Sequence, residues 1–339
     1  MDQQHELKLE EVRFFCGRSN RHLAEKICSL LHVPLEDTDI QRFNNDNLYI
    51  QLGASVRKRE VYIIQSLDPP VDQNLMELLI MLDIARSSGA KEVHAIIPYF
   101  SYARSDKKDA ARISITGRLV AELLQTAGAN HLMTMMLHSP QVHGFFRIPA
   151  DPLTSRPVFE DYFRGRDLSH TIVVTPDMGA SKSGARFAHD MNDLPVAAGI
   201  KERINDTTVR INYLIGDQVK GNDTAIVYDD EIATGGSIVE ISRIIISQGI
   251  KKIWVVCTHG VFVNDALSKL AAIPEITEIV TTDTIYIPPE KRISKLHVAT
   301  VAPIFAEAIR LNYIGESISS LFAYDKEKSD APQVKKQQE

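Results

Sequence analysis

Ala225-Ile226-Val227-Tyr228-Asp229-Asp230-Glu231-Ile232-Ala233-Thr234-Gly235-Gly236-Ser237 is the stretch whose reading decides the fold. Ala225 to Tyr228 is an apolar run of strand length, and the residues from about Ser237 to Ser247 read as a helix. A strand that passes through a short glycine loop into a helix is half of a parallel βαβ unit. The loop also carries chemistry. Gly235 and Gly236 let backbone N–H groups close on an anion, Thr234 and Ser237 add hydroxyl donors, and the helix N-terminus adds partial positive charge. The carboxylates of Asp229 and Asp230 are suited to accept hydrogen bonds from the vicinal hydroxyls of a ribose. Together these residues describe a site for a ribose carrying a 5′-phosphate. An acidic N-cap followed by a glycine turn uses the same residue types. The fixed order of strand, acidic pair, hydroxyl-glycine loop and helix favours the anion site.

Working outward, strand-like and helix-like runs alternate almost throughout. Val61 to Gln65, Asn74 to Arg86, Val93 to Tyr99 and Ile115 to Thr126 set the rhythm in the first half. Thr171 to Thr175, Ala225 to Tyr228, Ser237 to Ser247 and Ile253 to Thr258 repeat it in the second. The segments beginning at Val61 and Ala225 share one layout: strand, loop, helix, Ser-Gly or Gln-Gly turn, lysine, strand. Gly89 and Gly249 stand where helix C-termini want a residue tolerant of positive φ. An internal duplication of one α/β domain type follows. Pro149 and Pro152 interrupt the pattern, so the expected division is 1–150 and 151–311, with 312–324 rejoining the first part. Residues 325–339, rich in Lys, Asp and Gln and without periodicity, read as a disordered tail.

Composition narrows the function. The chain has 339 residues, enough for two domains that each bury a core. Its net charge of −6 argues against a general nucleic-acid binder, which needs clustered excess cation. Cys16, Cys28 and Cys257 are too few and too scattered for a disulfide framework or a metal cluster, and read as buried thiols in a reducing compartment. The first residues lack the basic and apolar regions of a signal peptide, and no apolar run approaches the ~20 residues that span a bilayer. A cytoplasmic protein with no membrane partner is expected.

The loop from Asp229 to Ser237 resembles the phosphoribosyl-diphosphate-binding motif of phosphoribosyltransferases and ribose-phosphate diphosphokinases. From about Phe14-Phe15-Cys16-Gly17 to Gly315-Glu316-Ser317-Ile318-Ser319-Ser320-Leu321-Phe322 the chain is similar to the diphosphokinases. The resemblance implies an α/β fold of two duplicated phosphoribosyltransferase-like domains, each with a central, mainly parallel sheet flanked by helices. It implies ATP contacts at Phe43, Asn45 and Asn47, in a segment that holds adenine across a subunit interface, and at Arg104, Ser105 and Asp109. Read without the family, Arg104-Ser105-Asp106-Lys107-Lys108-Asp109 is already a credible polyphosphate clamp. His138, from Met135-Met136-Leu137-His138, is implied in contacts to the triphosphate and to Mg²⁺, and Asp177 as a hard oxygen ligand for that ion. Lys201 and Arg203 match a flexible catalytic loop that supplies charge during diphosphoryl transfer, and Ile204 to Thr208 reads as its mobile continuation. Asp229, Asp230, Ala233, Thr234, Gly235, Gly236 and Ser237 are implied as the ribosyl-phosphate site.

The implied reaction transfers the β,γ-diphosphoryl group of MgATP to the C1 hydroxyl of ribose 5-phosphate. The family's homo-oligomeric habit implies a dimer or hexamer. The resemblance is that of a divergent member, because Asn47, Met136 and Ala233 each stand where the family carries a carboxylate. Loss of the acid at Ala233 opens space and removes a repelling charge beside the 5′-phosphate, so ADP-ribose is an alternative acceptor. A catalytically silent regulatory subunit and a phosphoribosyltransferase are the competing readings. The retained Lys201, Arg203, His138, Asp177 and acidic pair weigh against the silent subunit.

Overall fold

The computed structural model describes residues 7–203, 209–217 and 219–322, without the side chains of 201–203 and 209–212. The expected tail at 325–339 and the continuation Ile204 to Thr208 lie outside the described residues.

Among the described residues the first half builds a five-stranded sheet. Its strands are β1 (Val12–Cys16), β4 (Glu60–Ile64), β5 (Glu92–Ile97), β6 (His131–Met135) and β7 (Ala150–Leu153), in that order and all parallel. A hairpin of β2 (Thr38–Arg42) and β3 (Leu48–Leu52) stands apart from it. The second half builds a seven-stranded sheet from β8 (Thr171–Thr175), β9 (Val196–Arg203), β10 (Val209–Gly216), β11 (Thr224–Ile232), β12 (Lys252–Gly260), β13 (Ile276–Thr282) and β14 (Leu296–Ala299). Its order is β10-β9-β8-β11-β12-β13-β14, antiparallel only between β9 and β10. With β9 and β10 set aside, β8-β11-β12-β13-β14 repeats the order β1-β4-β5-β6-β7, and the duplication read from the sequence is visible in topology.

The central strands of both sheets are covered on two faces, so β4 and the first part of β11 read as near-continuous apolar runs instead of alternating. In β4, Tyr62 and Ile64 join one core while Val61 and Ile63 join the other. The flanking helices of the first sheet are α1 (Arg21–Leu30), α2 (Val71–Ser87) and α3 (Thr116–Ala127). In β11, Ala225 and Val227 pack on one side, and Ile226 and Tyr228 on the other. There α4 (Arg156–Phe163), α5 (Ser181–Asp190), α6 (Gly236–Ser247) and α7 (Ala266–Ala271) supply the cover.

The division expected after residue 150 falls inside β7, which carries the first sheet to Leu153. Pro152 is accommodated because β7 is an edge strand and needs backbone donors on one side only. The helices that follow the two edge strands are exchanged. Phe159 and Phe163 of α4 pack with Phe187 and Trp254 of the second half. Phe305 and Ile309 of α8 (Ala302–Ile314) pack with Leu23 and Ile27 of the first, so the return to the first half begins well before residue 312. Polar contacts add to this tie: Asn20 Nδ2 donates to Asp283 O and Thr284 O at 2.8 and 3.1 Å, Ser66 Oγ donates to Thr284 O at 2.6 Å, and Lys26 pairs with Asp283 at 2.9 Å.

Cys16, Cys28 and Cys257 are buried free thiols, and burial pushes Cys16 up to about 11 and Cys28 to about 12. No helix among the described residues is long and apolar enough to cross a membrane.

Candidate functional site

Strand β11 does not end at Tyr228, as the apolar run suggested, but runs on to Ile232. Its pairing with β8 stops at Val227, whereas its pairing with β12 continues through Asp229, Glu231 and Ile232. The acidic residues therefore sit on a strand that has outrun one neighbour, and the space beyond β8 becomes a cavity. Gly235, at φ +74°, makes the left-handed turn into α6, a conformation that favours glycine. Helix α6 starts with no side-chain cap, so its first N–H groups face outward with Thr234 and Gly236 exposed beside them. The Ala233 and Ile232 carbonyls accept from Val263 N and Phe262 N at 3.0 Å, which fixes the loop from behind.

The cavity has a volume of about 880 Å³ and lies between the two halves. Asp177, Asp229, Asp230, Ala233, Thr234, Gly235, Gly236 and Ser237 line it from the second half, and Arg104 and His138 from the first. These are most of the residues singled out in the sequence. His138 Nδ1 lies 2.7 Å from Asp230 Oδ2, and Arg104 lies 3.4 Å from Glu231 Oε1. Asp229 Oδ1 accepts from the Asp230 amide at 3.0 Å, and Asp177 Oδ1 accepts from Ala180 N at 3.1 Å at the head of α5.

The charges are crowded. Burial, then the neighbouring charges of Asp230 and Asp177, hold the Asp229 carboxyl well above the usual carboxylate range. Burial also pushes Asp230 upward, but the hydrogen bond and charge of His138 outweigh it and leave Asp230 below that range. Asp230 in turn raises the His138 imidazole, chiefly through their hydrogen bond. Burial raises Glu231 against the opposing pull of Arg104.

Several expected ATP contacts lie elsewhere. The Ser105 hydroxyl accepts from Thr116 N at 3.1 Å and donates to Ser114 O at 3.3 Å, so it serves the start of α3 instead of lining the cavity. Asp109 is exposed and outside it. Phe43, Asn45 and Asn47 form the tip of the β2–β3 hairpin, where Asn45 Oδ1 accepts from Asn47 N at 3.2 Å and Phe43 is 52% exposed. Lys201 and Arg203 are the end of β9 and not a loop, because they pair in register with Ile211 and Val209 of β10. Their side chains lie outside the described residues.

The cavity also contains residues that were given no role from sequence: Glu231, Arg156, Lys182, Ser183 and Arg186. Glu231 shares a strand face with Asp229 by the two-residue period, a signal present in the quoted stretch. Lys182, Ser183 and Arg186 were findable as the first turns of the helix that follows Asp177-Met178-Gly179.

Mg²⁺ prefers hard oxygen ligands, keeps several waters and is commonly held by one or two carboxylates together with substrate phosphates. The crowded carboxylates of Asp177, Asp229 and Asp230 fit that preference, since a cation among them would relieve the repulsion that raises Asp229. Among the described residues, no group of three or more His, Cys, Asp or Glu side chains forms a ready-made protein cage.

A duplicated parallel α/β architecture thus sets an acidic strand end and an uncapped helix N-terminus on one cleft, an arrangement suited to a phosphorylated sugar. Residues 12–128 match the N-terminal domain of ribose phosphate pyrophosphokinase, and residues 177–323 the phosphoribosyl synthetase-associated domain. A Streptomyces coelicolor protein is 46% identical over 314 residues, covering 93% of this chain and 98% of its own. The ribose-phosphate pyrophosphokinase of Deinococcus radiodurans is 45% identical, covering 91% and 97%. The phosphoribosylpyrophosphate synthetase structure from Mycobacterium smegmatis superposes with a TM-score of 0.83 at 34% identity, over 90% of this chain and 99% of that one. The chain belongs to the ribose-phosphate pyrophosphokinase family and is a transferase of that type.

Proposed function

We propose that this protein transfers the β,γ-diphosphoryl group of MgATP to the C1 hydroxyl of ribose 5-phosphate, releasing AMP. The observation that carries the reading is the meeting, in one cavity, of the Asp229–Asp230 strand end, the open N-terminus of α6, His138 and Asp177. Asp229 and Asp230 would accept from the ribose 2′- and 3′-hydroxyls, and Thr234 to Ser237 would hold the 5′-phosphate with backbone N–H groups and hydroxyls. The C1 oxygen would then face the first-half wall, where Arg104 and His138, which line the cavity, would receive the triphosphate. That oxygen bonds to the β-phosphorus, the bond from the β-phosphorus to the bridging oxygen breaks, AMP leaves with that oxygen, and the hydroxyl proton passes to solvent. Lys201 and Arg203 would stabilise the charge that develops on the transferred group. Asp177 and His138, together with substrate phosphates, would hold Mg²⁺, which would supply charge neutralisation when bound. The exposed Phe43 hairpin fits a contribution to the ATP site of a second copy in a homo-oligomer, a dimer or hexamer.

A second reading has ADP-ribose as acceptor. Ala233 favours it, since a methyl group stands where an acid would crowd further phosphate, and so does the presence of Arg156, Lys182 and Arg186 around an 880 Å³ cavity. AMP release from MgATP with each acceptor decides between them. Faster turnover with ribose 5-phosphate supports the first reading, and faster turnover with ADP-ribose the second. No AMP with either, with binding to an active homologue, would make the chain a regulatory subunit.

A further inference from the structure

His259 is the last polar residue of β12, beside Glu231 in the parallel register, and it does not line the cavity. Its ring is 2% exposed. Nε2 lies 3.2 Å from Met135 O and 3.1 Å from Met136 O, and Nδ1 lies 2.9 Å from Thr284 Oγ1. Carbonyl oxygens only accept, so Nε2 carries the proton and donates to both. Nδ1 then accepts from the Thr284 hydroxyl, which also lies 3.2 Å from Thr258 O as a second acceptor. Burial keeps the ring neutral, pushed down to about 4. Tyr99 packs on it at 4.9 Å between centroids, so one tautomer and one orientation are held from three sides.

The carbonyls that His259 grips belong to a strained turn. Met136 has φ +38°, a conformation rare for a residue with a side chain and kept only where its surroundings over-determine it. Its amide donates to Leu153 O at 3.0 Å, and its carbonyl is the one held by His259. Two residues on, His138 meets Asp230 at 2.7 Å. A histidine of the second half thus holds the first-half turn that returns His138 to a carboxylate of the second half.

We infer that His259 is a positioning residue for His138, clamping the Met135–Met136 backbone so that the His138 ring is presented to Asp230 across the cleft. This rests on the reading of the cavity as a diphosphoryl-transfer site. The effect is geometric and requires no contact between His259 and either substrate.

The test compares His259→Leu, His259→Gln, His138→Ala and the double variant His259→Leu/His138→Ala in the full chain. His259→Leu should lower kcat for AMP release roughly 10- to 100-fold, with KM for ribose 5-phosphate within about threefold. A glutamine amide can reach the same carbonyls, so His259→Gln should recover to within about threefold of wild type. In the His138→Ala background the leucine should cost nothing further. Independent, multiplying losses, or a folded His259→Leu protein with full activity, would overturn the inference. If the leucine variant does not fold, Thr284→Val, which removes the hydroxyl that fixes Nδ1 together with its contacts to Thr258 O and Thr282, should still lower kcat about threefold or more and move the His138 signals. The imidazole ¹⁵N signals of His138 at one fixed pH give a readout free of turnover. They should move in His259→Leu and hold in His259→Gln, and an unmoved signal sinks the idea. A wild-type protein that releases no AMP would refute the proposed activity, while this signal would still decide the role of His259.

Discussion

After β4 the chain runs Gln65-Ser66-Leu67-Asp68-Pro69-Pro70 into α2, and after the equivalent strand β11 it runs Ala233-Thr234-Gly235-Gly236 into α6. Gln65, Ser66 and Leu67 are fully buried, and Asp68 is 8% exposed. Gln65 accepts from Ser19 Oγ at 2.8 Å and donates to Glu77 at 3.2 Å, while Glu77 also takes Arg18 Nε at 2.7 Å. Asn74 Nδ2 donates to Asp68 O at 2.7 Å. The first crevice is filled by its own side chains and tied to the other half through Ser66. The second carries only small side chains, Ala233 and Thr234 beside two glycines, and the helix N-terminus is left open to the cavity. One architecture, used twice, separates holding the halves together from binding. Stability should therefore respond to the first loop and turnover to the second.

The largest expected effect is at Asp230. Asp230→Asn keeps the shape but removes the charge shared between His138 and the ribose site, so kcat/KM for AMP release should fall about 10³-fold or more. Tm should move by less than about 4 °C. A variant with near-normal turnover, or one that unfolds, would erase the contrast between the loops.

In the first loop the sign of the contrast reverses. Glu77 is 1% exposed and accepts from Arg18 and Gln65, so Glu77→Gln leaves polar donors poorly matched in the interior. Urea unfolding should show a loss of about 3 kcal/mol, with turnover of the folded enzyme within about twofold of wild type. Loss of turnover at preserved stability would mean that this crevice, too, binds substrate.

Much of this contrast was legible in the sequence, for reasons that also show where legibility stops. Apolar runs with helical spacing between them marked the duplicated sheets, because strands buried on both faces have no alternation to disguise them. The Asp229-to-Ser237 loop was legible because glycine, hydroxyl and carboxylate act locally, within a few residues of one another. The extension of β11 to Ile232 was not, since it depends on β8 ending early, a fact about another segment. Nor was the exchange of α4 and α8, which is decided by which core each apolar face meets. The resemblance implies an ATP contact for Ser105, and the bond its hydroxyl accepts from the Thr116 amide at the start of α3 is not legible from the neighbouring residues. His259 gave no local signal, since the carbonyls it holds lie more than a hundred residues away in the chain and its other partner, Thr284, 25 residues away.

The pH dependence of stability sharpens the comparison from the first side. Burial pushes the Asp68 carboxyl up to about 7, so the folded state holds a proton that the unfolded chain has released above the ordinary carboxylate pKa near 4. The stability this contributes is fully present below about pH 4 and is lost as pH rises through 7, by on the order of 4 kcal/mol. Asp68→Asn, whose amide oxygen can still accept from Asn74, should be flatter over that range than wild type in urea unfolding at successive pH values. Parallel curves for the two proteins would show that Asp68 ionises normally.

The smallest expected effect, and the finest test, is Ala233→Asp, which gives the open loop a side chain of its own. The Ala233 carbonyl already accepts from Val263 N at 3.0 Å, so the backbone is anchored and the substitution adds mainly a charge beside the helix N-terminus. A carboxylate there repels a second phosphate more than it disturbs a single monoester, so the ratio of kcat/KM for ribose 5-phosphate to that for ADP-ribose should rise about tenfold. Using a ratio cancels any loss of folded enzyme, since both acceptors meet the same molecules. An unchanged ratio would mean that the cavity near Ala233 does not see the 5′-substituent, and that acceptor choice is made by other walls, with Lys182 and Arg186 the next side chains to exchange.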